Sequence, residues 1–178
     1  MLDQAPQRMT LVQKKDIGKL RNVVCGEMQN YLRMCFLTPL ICGGFKGASW
    51  SPLFMNTAEE KQMWLRILRC AQNTSLLKVP IDQSQFDYAP SRAMIRMFFD
   101  KVVDYSQKYG TDEEFAISKL LRTSMMSEGS TVRVLKELVQ YRQGFASGWR
   151  WTPFIGTIFN KTKFDIMQEL VERDIHRP

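Results

Sequence analysis

Between Gly26 and Leu37 the apolar residues Met28, Tyr31, Leu32 and Cys35 recur at three- and four-residue steps, the spacing of a helix with one buried face. A stretch rich in Gly, Ser and Pro, from Thr38 to Asn56, reads as a loop. Thr57 followed by Glu60 forms a capping-box pattern and predicts a helix to about Asn73 that buries Met63, Ile67 and Cys70. Helical spacing returns at Met94, Met97, Phe98, Val102 and Tyr105, with Gly110 placed to end that helix. Thr111 with Glu114 opens the next helix, to about Met126. Ser130 is expected to start another, with Val132, Leu135, Leu138 and Val139 facing inward. Pro153 stands near the first turn of a last helix striped by Phe154, Ile155, Ile158 and Phe159. Two segments read as extended. One runs from Lys19 to Val24, and the other is the apolar run from Leu76 to Ile81, where Pro80 cannot donate to a ladder and implies a bulge or one-sided pairing. The expectation is an α+β fold, mostly helical around a small sheet, with three helices between the strand ending at Ile81 and the loop at Gly144.

Composition narrows the class. A chain of 178 residues with 44% hydrophobic content has the length of one domain and can bury a core. The net charge of +7 and a pI near 9.4 favour a polyanionic partner, without separating RNA from an acidic membrane surface. The cysteines at 25, 35, 42 and 70 form no Cys-x-x-Cys pair, and His176 is the sole histidine, so no zinc site is expected. Such cysteines read as buried thiols of a reducing compartment. Met1 to Pro6 shows no secretory pattern. The most apolar stretch, Met34 to Phe45, is broken by Pro39, Gly43 and Gly44 and is too short to span a bilayer. No repeat, heptad series or low-complexity tract divides the chain, and its methionines and phenylalanines read as core.

Three segments carry candidate chemistry, and each has a plainer alternative. Asp82-Gln83-Ser84-Gln85-Phe86-Asp87 places two carboxylates where a strand ends. An acid there projects into the crevice beyond a sheet and suits Mg²⁺, which takes one or two carboxylates plus substrate phosphates. The same turn also serves as a capping loop. Gly144 to Asn160 brings small residues into a helix start, with Ser147 and Gly148 letting backbone N–H groups approach a phosphate or ribose. An ordinary loop and cap explains it as well. Lys19 and Arg21, alternating with Leu20, set two cations along a strand as a triphosphate clamp or as a solvated edge. Trp149 and Trp151 either stack on a base or pack inward.

Taken in this order the three segments resemble a viral RNA-dependent RNA polymerase. Gly18-Lys19-Leu20-Arg21 looks like the basic motif F, Asp82 to Asp87 like motif A, and Ser147-Gly148 with Thr152 like motif B. The Asp-x-x-x-x-Asp and Ser-Gly-x-x-x-Thr spacings match the family pattern, in a style most similar to totivirus-like polymerases of double-stranded RNA viruses. The resemblance implies a fingers and palm fragment, with fingers to about residue 75, palm from about 76 to 178, and motif A on the small sheet. It implies template-directed nucleotidyl transfer from nucleoside triphosphates with Mg²⁺ or Mn²⁺. Asp82 would be the catalytic metal-binding acid, joined by the carbonyl of Gln83. Asp87 would accept a hydrogen bond from the ribose 2′-hydroxyl, and Lys19 and Arg21 would bind the triphosphate. Ser147, Gly148 and Thr152 would position template and ribose, with Asn160 as a further substrate contact.

The implied partners are RNA template and product, nucleoside triphosphates, the rest of the polymerase and the viral capsid protein, with no membrane, in the host cytoplasm or virion interior. The sequence departs from the family in two places. Nine residues after Ser147, where the family carries Asn, stands Gly156. Asn160 lies on the same helical face, about 6 Å further along the axis. No Gly-Asp-Asp turn follows before Pro178, so motif C and the thumb are expected to be missing and the chain alone to be inactive. Two other classes remain: a non-catalytic RNA-binding or scaffold domain, and a metal-dependent phosphohydrolase.

Overall fold

The computed structural model describes residues 6–48, 50–76, 78 and 90–175. Two compact units divide the chain, Met1–Gly43 with Gln85–Pro153 and Gly44–Ser84 with Phe154–Pro178. The segment 79–89, with Asp82, Gln83 and Asp87 and the expected bulge at Pro80, lies outside the described residues.

The first unit joins a four-stranded sheet to three helices. Strands β1 (Arg8–Asp16) and β2 (Lys19–Cys25) form an antiparallel hairpin, closed at Asp16 opposite Lys19 by Ile17 and Gly18. Gly18 has φ +77, a left-handed conformation that this two-residue turn assigns to glycine. Strands β3 (Thr131–Val134) and β4 (Glu137–Gln140) form a second hairpin, and β3 pairs parallel to β1, giving the order β2-β1-β3-β4. The helix expected from Ser130 is therefore wrong, and two helices, not three, lie between Pro90 and the Gly144 loop. Val132, Leu135, Leu138 and Val139 do recur with helical spacing, but Leu135 sits in the hairpin turn at φ 57. Val132 alone of the four is buried, while Leu135, Leu138 and Val139 are 91%, 61% and 50% exposed.

Helices α1 (Met28–Gly43), α3 (Arg92–Tyr109) and α4 (Asp112–Met125) pack on one another in this unit. The predicted α1 was both too short and turned the wrong way. It continues through Pro39, and its buried residues are Asn30, Met34, Leu37 and Ile41, while Met28, Tyr31 and Leu32 are exposed. Asn30 tips the balance, because its amide donates to Ser124 Oγ at 2.9 Å and its carbonyl accepts from Arg33, which satisfies the polar group inside the core. Ile95, Phe98, Phe99 and Val102 of α3 meet Leu121 and Met125 of α4 in that core, and Phe99 is fully buried. Burying a side chain of this kind is worth about 1.5–3 kcal/mol. Ser91 caps α3, Gly110 follows its end, and the Thr111–Glu114 capping box opens α4 as expected. Met97, expected inside, is 58% exposed.

The second unit contains a 3-10 turn (Pro52–Phe54), α2 (Thr57–Gln72) and the residues of α5 (Thr152–Ile175) from Phe154 onward. The α2 capping box is one residue earlier than predicted. Asn56 Oδ1 accepts from the N–H groups of Ala58 and Glu59, and Glu59 accepts from Asn56 N at 2.8 Å. The expected burial of Ile67 and Cys70 does not occur: Ile67 is 47% exposed, Cys70 is exposed, and Met63 is half-buried. Phe45, Trp50, Phe54 and Phe154 form an aromatic cluster with ring centroids 4.9 to 6.3 Å apart. The predicted stripe on α5 is present, with Phe154, Ile155 and Phe159 buried and Ile158 half-buried.

Candidate functional site

Strand β2 carries Lys19 and Arg21 as predicted, Lys19 opposite Asp16 and Arg21 opposite Lys14 in the hairpin register. Its far end receives the Ser147–Gly148 loop. Val24 N–H donates to Ser147 Oγ at 3.1 Å, and Gly148 N–H donates to Val24 O at 2.9 Å, so one residue of β2 is gripped on both backbone groups. A Cβ on Gly148 would stand 2.8 Å from Val24 O and 2.9 Å from Cys25 Cα. Glycine is therefore required by close backbone approach. Arg21 precedes Val24 by three residues, about 10 Å along an extended strand, so the fold brings two of the three candidate segments onto one strand.

The loop is braced from within. Trp149 N–H donates to Ala146 O at 2.9 Å, Thr152 N–H to Trp149 O at 3.2 Å, and Thr152 Oγ1 to Ala146 O at 2.8 Å. Thr152 is buried, and its hydroxyl is engaged with the backbone of its own loop. Ser147 Oγ accepts from Val24, a bond that leaves its own proton uncommitted. Asn160 is exposed on α5, and Gly156 is buried on the same helix.

Both tryptophans pack inward rather than standing open to a base. Trp149 is 4% exposed, edge-on to Phe99 and Tyr141; Trp151 is 2% exposed, stacks on Phe99 and donates Nε1–H to Thr38 Oγ1 at 3.0 Å. The indole of Trp149 also lies against Gly26, where a Cβ would come within 2.8 Å of Cδ1. Its buried Nε1–H has no partner among the described residues.

Sequence reading named Gly144 but missed its partners Pro90 and Tyr141, and Arg92 beside them. Gly144, at φ 87, donates its N–H to Pro90 O at 3.2 Å, which ties the loop to the residue three beyond Asp87. The Tyr141 hydroxyl donates to Gly144 O, and burial pushes the phenol above its ordinary pKa, with Arg92 opposing. Arg92 Nη2 donates to Met126 O and Ser127 O, fixing the start of α3 to the end of α4. Only the aromatic and glycine content of the segment marked it; the partners are remote in sequence.

Among the described residues no group of three or more His, Cys, Asp or Glu side chains could hold a metal ion. The four cysteines are free thiols. None is buried as expected: Cys70 is exposed and Cys25, Cys35 and Cys42 are half-buried, and desolvation raises the pKa of Cys42 against the opposing charge of Arg150. No helix among the described residues is long and apolar enough to cross a membrane.

The chain is similar to a viral polymerase. Over 171 residues it is 26% identical to a protein described as a probable RNA-directed RNA polymerase of Giardia lamblia virus (isolate Wang). The match covers 89% of this chain and 8% of that protein, so the chain spans a small part of its relative's length. No family model matches the sequence, and no solved structure matches it.

Proposed function

We propose that the chain is part of an RNA-directed RNA polymerase and contributes to it a nucleotide-binding surface built from β2, the segment 82–87 and the Ser147–Gly148 loop. The similarity over 89% of the chain carries this reading. It is supported by the double grip of the Ser-Gly loop on the strand that bears Lys19 and Arg21. Arg21, and Lys19 beside it, would attract the triphosphate. Ser147 would offer its free hydroxyl proton to template or ribose, with Thr152 and Gly148 holding it in place and Asn160 a further contact along α5. Asp87 would select ribose over deoxyribose through its 2′-hydroxyl. The Asp82 carboxylate and the Gln83 carbonyl are hard oxygen donors of the kind Mg²⁺ or Mn²⁺ takes, and the ion would lower the charge barrier of phosphoryl transfer. The metal-binding acids of motif C and the thumb would come from the rest of the polymerase.

Photo-crosslinking of an azido-substituted GTP to the full chain tests the reading. Crosslinking is expected to be competed by GTP better than by dGTP, and to be weakened by Arg21→Gln and by Asp82→Asn in the presence of Mn²⁺. Asp87→Ala is expected to erase the ribose preference while leaving triphosphate capture largely intact. Release of inorganic phosphate from GTP by the chain would instead identify a phosphohydrolase. RNA binding with no Asp82-dependent capture of triphosphate would identify a binding or scaffold domain.

A further inference from the structure

Tyr141 touches the Ser147–Gly148 loop at both ends. Its hydroxyl donates to Gly144 O where the loop begins, and its ring lies edge-on to the Trp149 indole where the loop closes, with centroids 6.2 Å apart. The backbone of Tyr141 is fixed to the sheet, since its N–H donates to Ser130 O at 2.9 Å and continues the β3–β4 ladder by one pair. Glu137, Leu138, Val139 and Gln140 of β4 are all exposed, so the strand adds little to the core. The residue it delivers to the loop is Tyr141. At the other outer strand of the order β2-β1-β3-β4, Ser147 Oγ and Gly148 N–H hold Val24. Between these ties Ala146 O accepts from both Trp149 N–H and Thr152 Oγ1. Every second residue of the loop, Gly144, Ala146 and Gly148, is therefore held through its backbone.

We infer that Tyr141 is a positioning residue for Ser147: by clamping Gly144 O, its hydroxyl keeps the loop in the register at which Ser147 Oγ meets Val24 N–H. Gly144 is the residue that needs such a clamp. Its φ of 87 lies in a region that glycine enters freely, and glycine leaves it as freely, because no Cβ restricts the alternatives. With the hydroxyl gone, Gly144 N–H still rests on Pro90 O, but the peptide plane that carries Gly144 O is released to rotate. Only Phe145 and Ala146 separate that plane from Ser147, so the freed motion arrives there with little chain to absorb it. The clamp is read from the geometry of the loop alone, while a nucleotide as the group that Ser147 then meets rests on the polymerase reading.

Amide hydrogen exchange on the full chain carrying Tyr141→Phe, which keeps the ring and removes only the hydroxyl, tests the inference. Both backbone groups of Val24 meet the loop and so point away from β1, which makes its amide a reporter of the Ser147 contact. Val23, paired with Val12 inside the hairpin, reports the sheet. Protection at Val24 and Gly148 is expected to fall about two- to tenfold, the fold-change of one net hydrogen bond, with Val23 unchanged. Tyr109→Phe removes a hydroxyl from the exposed end of α3 and is expected to alter none of the three. In the GTP crosslinking assay Tyr141→Phe and Ser147→Ala are each expected to weaken capture, and the double variant no more than Ser147→Ala alone, because both act through one hydroxyl. Unchanged protection at Val24, or an equal loss at Val24 and Val23, would overturn the proposal, and so would additive losses of crosslinking. If the wild-type chain captures no GTP while Tyr141→Phe still lowers protection at Val24 and not at Val23, the polymerase reading falls and the clamp stands.

Discussion

Gly148→Ala probes the contact on which the candidate site depends. The added methyl would meet Val24 O at 2.8 Å and Cys25 Cα at 2.9 Å, both backbone atoms of β2 that cannot swing aside. The loop then has two courses. If it stays, the overpacking costs about 1–3 kcal/mol. If it lifts away, the Val24–Ser147 and Gly148–Val24 hydrogen bonds are lost, at a net cost of about 0.5–1.5 kcal/mol each. Both courses converge on about 2 kcal/mol, which in a chain of this size lowers Tm by about 4–8 °C. Ser147→Ala removes one acceptor and leaves the Val24 N–H unsatisfied, so about 1 kcal/mol is expected. Gly43→Ala is the control: it ends α1, a Cβ there meets nothing within 4 Å, and the substitution should be neutral or stabilising by up to about 1 kcal/mol. Thermal melts by circular dichroism rank the three variants, and hydrogen exchange at the Val24 amide reports the contact itself. A Gly148→Ala protein that melts with the Gly43→Ala control and keeps wild-type protection at Val24 would refute the grip.

Two further outcomes are expected. Leu135 holds φ 57 in the β3–β4 turn and is 91% exposed, so Leu135→Gly should relieve backbone strain without losing packing and stabilise the chain by about 1 kcal/mol, measured by urea denaturation. Burial raises the pKa of Tyr141, so the folded state retains a phenolic proton that the unfolded chain releases near pH 10. Its contribution is complete below that pH and declines as pH rises through the alkaline range. Tyr141→Phe should flatten that part of the alkaline stability profile, and an unchanged profile would contradict the assignment.

What the sequence determined by itself was local. Ser91, Gly110 and the Thr111–Glu114 box announced α3 and α4, because a cap is made by residues within one turn of each other. The extended character of Lys19 to Val24 and the helix behind Pro153 were legible for the same reason. The kinds of residue in the candidate site, a basic strand and a Ser-Gly loop, were legible too, since chemistry follows residue type. Tertiary structure decided the rest. Residues 131–140 form strands because β3 finds β1, more than 120 positions away in sequence, and helical spacing in a short apolar run cannot compete with that pairing. Asn30 is buried, against the simplest reading of α1, because Ser124 satisfies it from another helix. Ser147 lies 123 residues from Val24, and no local pattern in either segment encodes their meeting. Hydrogen bonds and close backbone approaches of this kind exist only once the chain has been brought together, so the segments could be named in advance, but the grip between them could not.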